Sequence, residues 1–306
     1  MSDRATIALT GATGFVGQAT LDAALAAGYA VRALTRREQA PRANVQWVRG
    51  DLENTAALSE LARGVEAAIH VAGVVNAPDP AGFEAGNVTG TLNLVETLVA
   101  KGIGRFVHVS SLSAREPAIS AYGASKARAE KLLMASPLDW TIVRPPAIYG
   151  PRDREMLDLF RAARWGVVPT PREGRASLIH VEDLARLLVA LVSGGEEVST
   201  RVFEPDDGRY RGWSHDEMAR AIGAAVGRRP LVVGRSRKAM EGARGPVPAR
   251  RQGQADARPG GLFQPSRLGG IGRGPRSRRD LAAPDRDAGR AEGNRAVVSR
   301  AQVALA

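Results

Sequence analysis

The sequence predicts an α/β protein built on a doubly wound parallel sheet with a small C-terminal lobe. Three observations predict it. Short β-rich apolar runs alternate with longer helical patterns across residues 5–234, and strand–helix–strand succession implies right-handed crossovers between parallel strands. The near-continuous apolar runs Ile69–Val75 and Phe106–Val109 suit strands buried on both faces. A glycine triplet, Gly11, Gly14 and Gly17, stands where the first strand turns into the first helix.

In chain order, the expected strands are Thr6–Leu9, Ala30–Leu34, Val45–Arg49, Ala67–Val71, Arg105–Ser110 and Thr141–Arg144. Helical spacing predicts Val16–Ala27, Thr55–Ala62, Thr89–Ala100 and Tyr122–Met134 between them. After residue 145 the pattern loosens. Pro145, Pro146, Pro151, Pro169 and Pro171 break the chain into loops and short elements. Two further helices are expected, Val181–Leu191 and Ser214–Val226. In such folds these segments form a lobe over the carboxyl ends of the strands, where ligands bind.

A chain of 306 residues buries a sizeable core, as one large domain or one domain plus a lobe. It has no cysteine, so neither disulfides nor thiolate metal sites are available. The start lacks an apolar signal core, and no apolar run reaches the ~20 residues of a membrane span. The expectation is a cytoplasmic protein with no membrane role. The net charge of +11 is unevenly placed: residues 235–306 hold 16 of the 43 Lys and Arg but only 6 of the 32 Asp and Glu. The preceding 234 residues are nearly neutral, so no basic stripe on a folded face marks a specific nucleic-acid binder.

The segment TGATGFVG, residues 10–17, follows a strand and opens a helix. One glycine permits the tight turn, one lets backbone approach a pyrophosphate, and one allows close helix–strand packing. Thr13, Phe15 and Val16 complete a helix N-terminus that favours negative charge. In this context the turn reads as a dinucleotide site. At the end of the second strand an acidic residue would bind the adenosine ribose; here stand Arg36 and Arg37. Two guanidinium groups suit a 2′-phosphate, which favours NADP over NAD; the alternative is a solvated basic loop. Asp51 and Leu52 lie near the expected adenine position, with a helix-start carboxylate as the other reading of Asp51. Ala72 and Gly73, after the fourth strand, are either a bare surface for the cofactor or a tight turn.

Tyr122 and Lys126 lie four residues apart on one helix face. A nearby cation favours the phenolate, which brings a phenol closer to working pH. Ser110 and Ser111 end the preceding strand, where a hydroxyl can bond a substrate oxygen. Four scattered histidines are too few clustered ligands for a metal site.

With TGATGFVG, Ser110-Ser111, Tyr122/Lys126, RPPAIYGP at 144–151 and SLIHVEDLA at 177–185 in order, the chain resembles the short-chain dehydrogenase/reductase superfamily. The resemblance is to its NAD-dependent epimerase/dehydratase branch and atypical relatives. It implies that Tyr122 exchanges a proton with the substrate oxygen and that Lys126 holds the nicotinamide ribose. Ser111 would orient the substrate oxygen, with Ser110 or Ser113 as substitutes. Asn87 would prop the helix beside the site, or cap a helix start. Pro145 would join the cofactor contacts, and His180 and Asp183 would anchor the lobe. A homodimer paired through long helices would be usual. Only ten residues separate Ser111 from Tyr122, a short span for a nucleotide-sugar epimerase.

From about Arg235 the periodic pattern stops, and the remainder is rich in Arg, Gly, Pro and Ala. It reads either as a low-order basic tail or as GC-rich DNA translated out of frame. Read one nucleotide later with permitted codons, Gln254–Gly270 can encode KLTPDRAVYFSHPDWV and Gly289–Leu305 can encode AGLKATALWYRAHKWL. Both strings resemble C-terminal elements of the family.

These readings converge on an NADP(H)-dependent enzyme acting on a small-molecule carbonyl or carbinol group, or on a nucleotide sugar. The alternative is a non-catalytic NADP-binding redox sensor or accessory subunit, a reading that intact Tyr122 and Lys126 weigh against.

Overall fold

The computed structural model describes residues 4–171 and 173–235. The tail and its alternative frame lie outside the described residues. In chain order the elements are β1 (Thr6–Thr10), α1 (Phe15–Ala26), β2 (Ala30–Thr35), β3 (Val45–Arg49), α2 (Thr55–Leu61), β4 (Ala67–His70) and α3 (Pro80–Phe83). A π-helical turn (Glu84–Thr89) runs into α4 (Gly90–Ala100), followed by β5 (Arg105–Val109), a 3₁₀ turn (Leu112–Arg115), α5 (Ala121–Met134), β6 (Asp139–Val143) and β7 (Ala147–Tyr149). Then come α6 (Arg154–Arg164), β8 (Val167–Pro171), β9 (Arg175–Ala176), β10 (Leu178–His180), α7 (Val181–Ala190), β11 (Arg201–Phe203), β12 (Trp213–Ser214), α8 (His215–Ala225) and β13 (Leu231–Arg235).

Contacts divide the described chain into two compact units, residues 4–150 with 179–207 and residues 151–178 with 208–235. The first unit is a seven-stranded sheet in the order β3-β2-β1-β4-β5-β6-β11, with every pair parallel. The order reverses between β1 and β4, which opens a crevice at their carboxyl ends. This is the doubly wound fold that the alternating pattern predicts.

Two apolar layers hold the sheet. On one face Ile7, Leu9, Ile69 and Val107 pack with Leu21 of α1 and Leu184 and Leu188 of α7. On the other, Ala8, Phe106 and Ile142 pack with Leu58, Leu94, Leu98 and Leu133 of α2, α4 and α5. Each large side chain so removed from water contributes roughly 1.5–3 kcal/mol. Local signals set the helix starts: Asn54 Oδ1 accepts from Ala57 N at 2.9 Å, and Ser120 Oγ accepts from Gly123 N at 3.0 Å. Polar ties fix the starts of β5 and β6, where buried Arg105 donates to Leu191 O, Asp139 and Thr141 Oγ1.

In the second unit β8 pairs with β13 in parallel and β9 with β12 antiparallel. A capping box, Ser214 Oγ to Glu217 N at 3.1 Å and Glu217 Oε2 from Ser214 N at 2.7 Å, starts α8. After residue 145 the strands are short, two to five residues each, as the prolines lead one to expect, and one longer element lies among those prolines. Helix α6 spans eleven residues between Pro151 and Pro169, because both prolines fall outside the helix rather than within it.

Candidate active site

The first turn of α1 is shaped by three glycines with different burdens. Gly11 has φ +73°, and a Cβ there would lie 2.7 Å from Ala72 N. A Cβ on Gly17 would lie 1.9 Å from Gly11 O. Gly11 lets the turn close against the β4 loop, and Gly17 lets α1 close on the turn itself. Gly14 differs: its φ is −82° and a Cβ would meet only Gly11 O, at 3.3 Å. It also caps α1 without a side chain, so no side chain caps the first-turn N–H groups of Phe15, Val16 and Gly17. Thr13 O is held by Gln18 Nε2 at 2.9 Å. A bare helix N-terminus beside a glycine fits a pyrophosphate.

Beyond the carboxyl end of β2, Thr35 Oγ1 bridges the backbone of Arg37, donating to its O at 2.8 Å and accepting from its N at 3.3 Å. Arg36 and Arg37 are exposed on this turn, and neither is ion-paired among the described residues. Asp51 is a turn cap: its Oδ1 accepts from Glu53 N at 3.0 Å and Asn54 N at 3.1 Å. Leu52 packs against Gly90, and its O accepts from Asn93 Nδ2 at 2.8 Å.

The catalytic candidates gather around α5. Lys126 is 3 % exposed, and its Nζ donates to Val109 O at 2.8 Å, at the carboxyl end of β5. Burial pulls its ammonium down from 10.5 to about 8, with Glu130 acting in the opposite direction. The bond to Val109 O engages one of the three N–H donors of the ammonium. Gly73 lies over it, since a Cβ there would come 3.7 Å from Nζ and 3.0 Å from Asn87 Oδ1. That glycine leaves a bare surface beside the ammonium. The uncapped turn, this surface and the exposed arginines together fit a dinucleotide.

Asn87 is buried within the π-helical turn. Its Oδ1 accepts from Val74 N at 2.7 Å, and its Nδ2 donates to Val74 O and Ser125 Oγ, both at 2.9 Å. Ser125 Oγ in turn donates to Tyr122 O at 2.7 Å. Asn87 therefore ties the β4 loop to the helix that carries Tyr122 and Lys126. Tyr122 is half-buried, its ring 6.0 Å from that of Phe83.

The two serines at the end of β5 part company. Ser110 is buried and donates to Glu130, which also holds Arg144 through Nε at 2.9 Å. Arg144 reaches Glu204 at 3.1 Å. Ser111 instead caps the 3₁₀ turn, its Oγ accepting from Ser113 N at 3.2 Å. That acceptor role leaves its hydroxyl proton available. Ser113 O lies close under α5, where a Cβ on Gly123 would come within 2.5 Å of it. Pro145 is buried, and its O accepts from Leu112 N at 3.0 Å, which pins the same turn.

His180 and Asp183 lie apart from this cluster. His180 Nδ1 accepts from Glu182 N at 3.4 Å and its ring meets Tyr149 edge-on, while Asp183 pairs with Arg186. No group of three or more metal-ligating side chains occurs among the described residues. No helix among them is long and apolar enough to cross a membrane. Sequence reasoning missed Glu130 and the buried imidazoles His70 and His108. Glu130 stands four residues beyond Lys126 on the same helix, which was the available signal.

Residues 7–203 match the NAD dependent epimerase/dehydratase family. The chain is 40 % identical over 240 residues to a ceramide reductase of Caulobacter vibrioides, covering 75 % of this chain and 73 % of that protein. It is 26 % identical over 237 residues to a UDP-glucose 4-epimerase of Vibrio cholerae, covering 63 % and 72 %. The solved structure of MoeE5 in complex with UDP-glucose and NAD superposes with a TM-score of 0.66 at 26 % identity, covering 76 % of this chain and 85 % of the other. Fold, glycine turn and sequence agree: the chain belongs to the NAD dependent epimerase/dehydratase family of enzymes, within the short-chain dehydrogenase/reductase superfamily.

Proposed function

We propose that this enzyme is an NADPH-dependent ketoreductase that turns a ketone on a lipid-like substrate into a secondary alcohol. The observation that carries the reading is Lys126. A lysine buried to 3 % exposure, one helical turn beyond a half-buried tyrosine and beneath a bare glycine, is costly to keep. Reduction is favoured over epimerisation by the ceramide reductase at 40 % identity against the epimerase at 26 %. The short span from Ser111 to Tyr122 points the same way, since it leaves little chain to shape a sugar pocket.

The bound nicotinamide supplies the hydride that the ketone carbon gains. Tyr122 delivers the proton to the carbonyl oxygen, and Ser111 donates a hydrogen bond that stabilises charge developing there. Lys126 holds the ribose hydroxyls and, one turn away, favours the phenolate that remains on Tyr122. The first turn of α1 takes the pyrophosphate, and Arg36 and Arg37 take the 2′-phosphate. Asn87 keeps the two halves of the site in register.

Tyr122→Phe tests the assignment. Turnover, followed as NADPH absorbance with a long-chain ketone, should fall at least 10³-fold while NADPH binding stays within about twofold. Turnover at the wild-type rate would sink it. Arg36→Ala/Arg37→Ala should weaken NADPH at least tenfold and leave NADH unchanged. Equal loss for both cofactors would remove the case for NADP.

A further inference from the structure

Beneath the site lies a buried polar chain that the mechanism does not use. His70, at the end of β4, is 0 % exposed. Its Nδ1 lies 2.6 Å from Thr10 Oγ1 and its Nε2 lies 3.0 Å from Thr91 Oγ1. Thr91 Oγ1 also lies 2.6 Å from Asn87 O, and Ala72 N donates to Thr10 Oγ1 at 3.2 Å.

The chemistry of the ends fixes the direction of every bond. A carbonyl only accepts, so Thr91 gives its one hydroxyl proton to Asn87 O. Thr91 Oγ1 must then accept from His70, which places a proton on Nε2. Thr10 Oγ1 accepts from the Ala72 amide and has its own proton left for Nδ1. The chain thus runs Ala72 N–H to Thr10 to His70 to Thr91 to Asn87 C=O, and it requires a neutral imidazole protonated on Nε2. Burial and the nearby Lys126 charge both oppose protonation of His70 and hold it at about 3. The other groups facing it are His108, stacked at 5.3 Å, and Phe106, at 5.9 Å. His108 is held well below its ordinary range by the same causes, burial first.

The two ends of the chain meet the same tripeptide. Ala72 N–H is held by Thr10 Oγ1, and Val74 N–H and C=O are both held by the Asn87 side chain. Between them sits Gly73, against Lys126 Nζ. Through Asn87, whose backbone ends the relay and whose side chain holds Val74, these bonds enclose a loop that lies on the proposed catalytic lysine.

We infer that Thr10, His70 and Thr91 are positioning residues, which fix the Ala72–Val74 loop against Lys126 so that the cofactor meets a preformed surface. The inference rests on the proposed role of Lys126 at a dinucleotide site. Loss of the chain should loosen cofactor binding without touching the groups that move the proton or hydride. Thr91→Val keeps the shape and removes the relay; Thr91→Ser restores the hydroxyl.

The test uses the full chain. Thr91→Val should raise the KM for NADPH about tenfold while kcat changes less than threefold, and Thr91→Ser should return KM to within about twofold of wild type. Nitrogen-15 spectra of the wild-type protein without cofactor should show His70 neutral and protonated on Nε2 from pH 5 to 8. A proton on Nδ1, or an imidazolium at pH 6, overturns the chain's direction and with it the inference. So does a folded Thr91→Val protein with a wild-type KM, or one whose kcat and KM fail to separate. Should the wild type bind neither NADPH nor NADH, the dinucleotide reading itself falls, and the inference with it; the spectra then still report separately whether the chain runs as derived.

Discussion

Replacing Lys126 by methionine should make the protein more stable at neutral pH while abolishing its turnover. The lysine is buried to 3 % exposure, and burial lowers its ammonium from 10.5 to about 8. That drop of about 2.5 on the pH scale, at ~1.36 kcal/mol for each, is about 3 kcal/mol of destabilisation whenever the group is charged. The unfolded chain holds its proton to about 10.5 and the folded one only to about 8. Between those values the unfolded state binds more protons, so stability rises with pH; below about 8 the full penalty applies. Methionine fills similar space without a charge, but it forfeits the bond from Nζ to Val109 O, worth ~1.5 kcal/mol. The balance is a gain of about 1–2 kcal/mol at pH 7, or a melting point higher by roughly 2–6 °C. Above about pH 10.5 the penalty is gone from the wild type, and the variant becomes the less stable of the two. Thermal or urea unfolding of both proteins at pH 7 and pH 10.5, without cofactor, reads the crossover. A variant less stable at pH 7, or a difference that ignores pH, would refute the reasoning that the site holds a costly charge for chemistry.

Two further pairs of substitutions separate fold from function. Gly17→Ala drives a methyl into Gly11 O, where a Cβ would lie at 1.9 Å, and should cost about 3 kcal/mol in unfolding. Gly14→Ala meets only a 3.3 Å contact and should cost under about 1 kcal/mol, yet weaken NADPH at least tenfold by titration. Ser110→Ala strips a bond from buried Glu130 and should lose ~1–3 kcal/mol of stability. Ser111→Ala should leave stability nearly intact and cut kcat about 10²-fold in the NADPH assay.

Much of this architecture was legible in the sequence because the sheet is buried on both faces. Six strands and six helices fall within three residues of their expected bounds, since uninterrupted apolar runs and helical spacing are strong local signals. The seventh strand, Arg201–Phe203, was not. It has three residues and is held as an edge strand by pairing with β6, a non-local bond that leaves no periodicity. The π-helical turn that carries Asn87 was likewise unreadable, because a shift from α to π hydrogen bonding has no residue signature. Asn87 itself is pointed out by the family resemblance, but its partners Val74 and Ser125, 13 and 38 positions away, leave no local pattern. The same applies to His70 and His108. Each is a lone histidine in its own strand, and only the β4–β5 register places one opposite the other. Between the two serines, the family resemblance favours Ser111; the structure adds a physical difference, because Glu130 engages Ser110.

The most direct test of the central claim follows the hydride itself. The enzyme is incubated with NADPH deuterated at C4 of the nicotinamide, as each C4 epimer in turn, and with a long-chain ketone. Ketone reduction predicts stoichiometric loss of absorbance at ~340 nm, deuterium on the new carbinol carbon from one C4 epimer, and accumulation of NADP⁺. Absorbance that stays constant while a sugar-nucleotide stereocentre inverts would contradict it, because the hydride would then be returned within each turnover.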